Sequence, residues 1–192
     1  DAALGAVDAA LGAAPALGAV AGAAAAVLVC LGSMHGYYHV VVLPLILIEM
    51  GSGGAALFGT LDEATLAVNS LALCAANALL PRRSLDAPAR AHEAHAAAMG
   101  LRINFWWGDY IEAAYPFMER DAFTFGATLA GSALAGAVTG YWRVRSSAYL
   151  PLPLAIWASN EPAFAALAYL AMFLPPFLVE LARNAAAKPK AS

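Results

Sequence analysis

Charge is the scarcest property of this chain. Only 12% of its 192 residues are Asp, Glu, Lys or Arg, while 62% belong to the hydrophobic set and the mean hydropathy is +0.68. A soluble domain carries about 25% charged residues, so this balance excludes an ordinary water-soluble globule and points to a membrane protein. The 13 acids and 10 bases leave a net charge of -3, with no basic stripe interleaved with aromatics. That removes the electrostatic footprint a nucleic acid requires. Cysteine is nearly absent. Cys30 and Cys74 stand far apart in apolar surroundings, the pattern of small buried residues and not of a disulfide frame or a thiolate metal site. His92, Glu93 and His95 lack the HExxH spacing of a zinc site and fall in an alanine-rich polar stretch that reads as a surface helix. No metal, no cofactor and no self-contained catalytic group is expected. No basic run precedes the first apolar stretch, so a retained signal peptide is not expected either.

Long apolar sequence is abundant, and its interruptions outline one all-α membrane domain, 1–192, of the polytopic helical type. Residues 11–33 carry no charge and exceed the roughly 20 helical residues that span a hydrocarbon core. Pro15 is expected to kink the start of that helix. Gly18, Gly22 and Ala26 recur every four residues and shave one of its faces for close contact. A second helix, 63–80, contains Asn69 and Asn77, which need internal partners. Asp62 and Glu63 at its start suit a helix dipole, and Thr60 and Glu63 have capping-box spacing. Residues 82–102, with four arginines, two acids and two histidines, read as an amphipathic arm in the headgroup zone. A helix at 122–142 again has glycines four apart, Gly136 and Gly140. The last helix, 163–182, is expected to be broken by Pro175 and Pro176; it carries Glu180 and precedes a polar tail, 183–192.

Three segments remain: 35–54, 103–119 and 147–159. Each is apolar but short, or interrupted by proline, tryptophan, asparagine or charge. Such segments read as re-entrant hairpins at 35–54 and 103–119 and a broken segment at 147–159, tolerated where protein or a water-filled cavity shields free backbone. If 103–119 enters and leaves on one side, that side collects Arg82, Arg83, Arg90, Arg102, Arg120, Arg183, Lys188 and Lys190, against Arg143 and Arg145 opposite. The positive-inside tendency then makes the first side cytoplasmic or its organellar equivalent. The expected location is a bacterial inner membrane or an organellar one, the chloroplast included.

Two stretches could carry chemistry. In GSMHGYYHVVVLPLILIEM, residues 32–50, His35 can donate from one ring nitrogen and accept at the other, which suits sugar hydroxyls. His39 shares its helical face four residues on. Glu49, before GSGG, reads as a structural tie to backbone N–H or an arginine. In NFWWGDYIEAAYPFMERD, residues 104–121, carboxylates and amides mix with aromatic faces as a sugar site requires. Glu112 is the sharpest candidate, because an intramembrane acid is functional by default; Asn104 and Asp109 neighbour it. Glu119, Arg120 and Asp121 read as interfacial charges.

GSMHG followed by VLP at 42–44, and YIEAAYPF at 110–117 leading into a glycine-rich helix, resemble the two signatures of the membrane-embedded EIIC components of bacterial sugar phosphotransferase systems. The resemblance implies a helix, hairpin, helix, arm, hairpin, helix order over about residues 20–180. It implies that His35 and Glu112 bind a sugar, with His39, Asn104 and Asp109 beside them. The sequence departs from that family where His35 is followed by Gly-Tyr-Tyr and Glu112 by Ala. These residues are expected to correspond to the substrate-binding half alone, and phosphotransfer is expected only if partner domains exist. The function expected is translocation of a sugar or small polar solute. The alternative is a non-transporting accessory or scaffold subunit of a larger membrane complex, respiratory or photosynthetic. Membrane lipid, other membrane subunits and a sugar are the expected partners, and nucleic acid is not.

Overall fold

The computed structural model describes residues 14–53, 56–108 and 110–188. Helix α1 (Pro15–Met34) is followed by a π-helical turn (Tyr38–Val42) that runs into α2 (Leu43–Gly53). Next come α3 (Leu57–Asp62), a second π-helical stretch (Glu63–Val68) and α4 (Asn69–Leu79). Helix α5 (Ala87–Trp107) leads through a 3₁₀ turn (Ile111–Ala113) to α6 (Tyr115–Arg120), and then to α7 (Ala122–Trp142), α8 (Leu152–Trp157) and α9 (Pro162–Ala186). Among the described residues the fold is all-α apart from one isolated bridge between Ala56 and Ser146. Helices α1, α7 and α9 are each long and apolar enough to cross a bilayer, which makes this a helical multi-pass membrane protein.

The helix ends follow local chemistry. Pro15 and Pro162 open α1 and α9, where a missing N–H costs nothing; Pro15 starts its helix instead of kinking it. Asp86 caps α5, its Oδ1 accepting from Ala89 N–H at 2.8 Å, and Asp121 caps α7 through Phe123 N–H at 3.0 Å. Gly36, at φ 79°, makes the left-handed turn out of α1. Pro44 has no N–H and its ring crowds the preceding turn. The wider π-helical turn, in which Leu43 N–H donates five residues back to Tyr38 O, comes immediately before it and loosens the helix at that point. The hairpin expected at 35–54 is, over the described residues 38–53, a single helical run with no reversal inside it.

Packing is set by small residues. A Cβ on Gly22 would strike the Gly136 carbonyl, and one on Gly140 the Gly18 carbonyl. The glycine faces of α1 and α7 therefore meet each other, and the pairing of 18 with 140 and 22 with 136 makes the two helices antiparallel. Helix α9 lies antiparallel on another face of α7, with Thr124 opposite Glu180 and Ser132 opposite Met172. Pro175 and Pro176 do not break α9, which continues to Ala186. The carbonyl of Met172 is robbed of its i+4 donor by Pro176, and it lies over Gly131, where a Cβ would come within 2.9 Å of it. The absent side chain allows the close α7 contact that shields this backbone group.

The centre of the bundle is the run 57–79. Residues 59–70 are buried without exception, enclosed by α1, α5, α7, α8 and α9. Helix α5 packs antiparallel on α4, with Gly100 against Cys74 and Asn104 against Ser70. It is one helix across the division drawn at 102 and 103, so the polar arm and the first half of the following segment form a single element inside the bundle. At Gly108 (φ 81°) the backbone adopts the left-handed region, and by Arg120 the chain is back beside Glu93, near where α5 began.

Candidate functional site

Asp62 and Glu63 are the most deeply placed acids of the central run, each 1% exposed. They sit at the junction of α3 and the π-helical stretch Glu63–Val68. The helix starts at Leu57, so neither acid serves its N-terminus. The capping there is done from α2: Glu49 accepts from Leu57 N–H at 2.8 Å and Phe58 N–H at 2.9 Å, which is the structural tie read for Glu49. Thr60 does not cap. Its hydroxyl donates to Ala56 O and Val144 O from inside α3. Glu63 Oε1 accepts from Leu150 N–H at 3.1 Å, and a Cβ on Gly108 would lie 3.6 Å from the same oxygen. The Tyr169 hydroxyl of α9 is buried without a hydrogen-bond partner and lies within electrostatic reach of both carboxylates. A π-helical turn among buried polar groups is a frequent mark of function.

Below this pair the same face stays polar. Thr65 Oγ1 donates to Leu61 O at 2.7 Å, and Asn69 meets Met118 Sδ and Thr128 Oγ1. Asn104 is wholly buried. Its Nδ2 donates to Ser70 Oγ at 2.9 Å and Gly100 O at 2.8 Å, and its Oδ1 accepts from Tyr110 N–H at 3.0 Å. Asn104 thus holds the reversal at Gly108 against α4.

A second polar cluster closes the opposite end. Arg120 donates to Glu93 at 2.5 Å, Glu180 at 2.6 Å, Asn77 at 2.7 Å and Asn184 at 3.2 Å. Thr124 Oγ1 donates to the other oxygen of Glu180 at 2.6 Å. Asp121 Oδ2 takes Arg82 at 3.2 Å and Arg183 at 2.9 Å. Burial opposes the Asp121 charge, but the Arg183 hydrogen bond, the Phe123 and Thr124 N–H groups and the Arg183 charge outweigh it and hold the carboxyl below its ordinary range. Arg120 and Asp121 are therefore joints between four helices and not the interfacial charges expected of them; Glu119 alone of the three is exposed.

The residues singled out in the sequence do not form one site. His35 is the exposed C-cap of α1, donating its backbone N–H to Leu31 O at 3.1 Å. His39 is exposed and its ring stands edge-on to Tyr38. Glu112 is exposed in the 3₁₀ turn and lines a groove of about 510 Å³ with His92, Glu93, His95 and Tyr110. His35 is not among the walls of that groove. Asp109 lies outside the described residues. Among the described residues no group of three or more His, Cys, Asp or Glu is arranged to hold a metal ion. The residues missed were Asp62, Glu63, Tyr169, Arg120 and Glu180. The adjacent acids inside an apolar stretch were a signal for the first two.

Comparison of the sequence with protein-family profiles and with curated proteins, and of the structure with solved structures, gives no match.

Proposed function

We propose that this chain is a membrane domain that moves a small polar solute, a sugar in particular, across the bilayer together with partner subunits. The observation that carries this reading is the central run 59–70. It is buried throughout, yet holds Asp62, Glu63, Thr65, Asn69 and Ser70. Polar groups at this depth are costly, and a protein that keeps them uses them for a substrate, an ion or an internal tie. Asn69 and Asn104 are held by hydrogen bonds to neighbouring groups, and Asp62 and Glu63 stand at the π-helical break, where the backbone at Gly108 and at Leu150 comes close to Glu63. The resemblance to EIIC components favours a sugar.

Equilibrium binding of labelled hexoses and polyols to the chain in its native membrane, with partner subunits present, tests the reading. Glu63→Gln is expected to weaken binding at least about tenfold, a loss of about 1.4 kcal/mol. His35→Ala and Glu112→Gln have little effect if the central run holds the solute, and a comparable effect if the site lies where the resemblance puts it. No binding of any such solute to the wild type rejects translocation.

One observation favours the accessory-subunit reading. Trp106, Trp107 and Trp157 are 58%, 80% and 79% exposed, as aromatic anchors for headgroups or a partner helix would be. Recovery of the chain at fixed stoichiometry in a larger complex, with no solute bound, selects that reading.

A further inference from the structure

We propose that Arg82, Arg83 and Arg183 form a site for the phosphate group of an anionic membrane lipid, at the end of the bundle where Arg120 lies. The inference is independent of what the domain moves. Six charges meet at that end, and they cancel as a set but not by position. The inner half is short of positive charge: Arg120 is shared between Glu93 at 2.5 Å and Glu180 at 2.6 Å, and the Glu180 side chain is wholly buried. The outer half has the opposite imbalance. Arg82 Nη2 at 3.2 Å and Arg183 Nε at 2.9 Å meet the same oxygen of Asp121, whose side chain is 3% exposed against 20% and 40% for the two arginines. The other Asp121 oxygen is taken by the Phe123 and Thr124 N–H groups at the start of α7. One carboxylate thus serves two guanidinium groups and a helix N-terminus, and positive charge is left over on the side that faces out.

The chain adds further cations at the same place. Arg83 N–H donates to Asn184 O at 3.3 Å, which pins this exposed residue beside the last turn of α9. Lys188 follows the end of that helix and is exposed as well. Donors remain for a ligand: among the described residues Arg183 hydrogen-bonds through Nε alone, so its two terminal amino groups are unspent. A guanidinium offers phosphate oxygens a fork of parallel N–H groups. Helix α7 starts at Ala122 and α9 ends at Ala186, and both are long and apolar enough to cross the bilayer. These arginines therefore sit where membrane-crossing helices meet the headgroups. The apolar surface that a lipid requires lies beside them. Phe123 is 67% exposed, and the Arg183 guanidinium carbon is 4.8 Å from the centre of its ring. A phosphate held on Arg183 places the glycerol and upper acyl chain of its lipid against that aromatic face, from which a soluble phosphate would gain nothing.

Native mass spectrometry of the full chain in detergent counts bound lipid directly, with phosphatidylglycerol and phosphatidylcholine of equal chain length as probes. The wild type is expected to hold phosphatidylglycerol in preference to phosphatidylcholine, and to unfold at a higher temperature in its presence. Arg83→Gln and Arg183→Gln should each weaken phosphatidylglycerol binding about fivefold, the effect of one arginine near an anionic headgroup. Arg83→Gln carries the test if Arg183→Gln fails to fold, because the described tie of Arg83 to α9 is made by its backbone. Arg90→Gln removes an exposed charge at the start of α5 and should leave binding unchanged. Equal retention of the two lipids overturns the proposal. So does an equal loss in Arg90→Gln and Arg83→Gln, which marks diffuse attraction to surface charge. Inorganic phosphate that stabilises the wild type as much as phosphatidylglycerol does identifies a soluble anion as the ligand, and overturns the lipid site as well.

Discussion

One carboxylate can tie three elements together, and Asp121 does so with separate oxygens. Oδ1 caps α7, while Oδ2 receives Arg82 from the turn before α5 and Arg183 from α9. Its carboxyl is held below the ordinary value of 3.8. A group whose folded pKa is depressed contributes stability that is present above its unfolded pKa and disappears as pH falls through the folded one. Thermal stability in detergent is therefore expected to decline on acidification below about pH 4. Asp121→Asn should be less stable than wild type at neutral pH and show a shallower decline in acid. Equal acid slopes for the two proteins would remove Asp121 from the account. Some residue roles were legible: Asn69 and Asn77 needed internal partners, and Glu49 read as a tie to a backbone N–H or an arginine, of which the backbone tie is present. Asp62 and Glu63 were hidden by their spacing from Thr60. A capping box and a helix interior look alike in those four residues, and the real start at Leu57 is fixed by a carboxylate eight residues upstream.

At the scale of elements, contact depends on which glycines have a backbone opposite them. Gly22→Ala and Gly140→Ala place a methyl group against carbonyls of the facing helix, which cannot yield as a side chain end would. Each should force α1 and α7 apart and lower the unfolding temperature in detergent. Gly126, on α7 as well, has nothing within 4 Å, so Gly126→Ala should be neutral or gain up to about 1 kcal/mol from helix propensity. If all three variants behave alike, the seam between α1 and α7 is not the determinant. The four-residue glycine spacing made this seam readable before the fold was known. The continuity of α9 was not readable, because a Pro-Pro pair breaks a helix unless a neighbour covers the freed carbonyls. That neighbour is Gly131, more than forty positions away. Helix α5 was divided for a different reason: its composition changes at residue 103 from alanine-rich and polar to aromatic, but helical hydrogen bonding runs through such a change.

For the whole molecule, the antiparallel pairing of α7 with α1 and with α9 separates the chain's cations. Arg82, Arg120 and Arg183 meet in one polar cluster, while Arg143 and Arg145 follow the far end of α7. The charge count made this asymmetry visible in the sequence, and the clustering gives it a structural cause: Asp121 and Glu180 gather the guanidinium groups at that end. Positive residues at a membrane face orient a chain toward the compartment where it was inserted. Cysteine labelling in sealed membranes tests the arrangement, because Cys30 and Cys74 are buried and should remain silent toward an impermeant maleimide. Arg90→Cys, at the start of α5, and Lys188→Cys, beyond α9, are exposed positions and should label together from the cytoplasmic or equivalent face. Ala158→Cys, exposed after α8, should label only from the opposite face. If Arg90→Cys instead labels with Ala158→Cys, α5 enters from the other side, and the cluster around Arg120 cannot be the positive end that orients the protein.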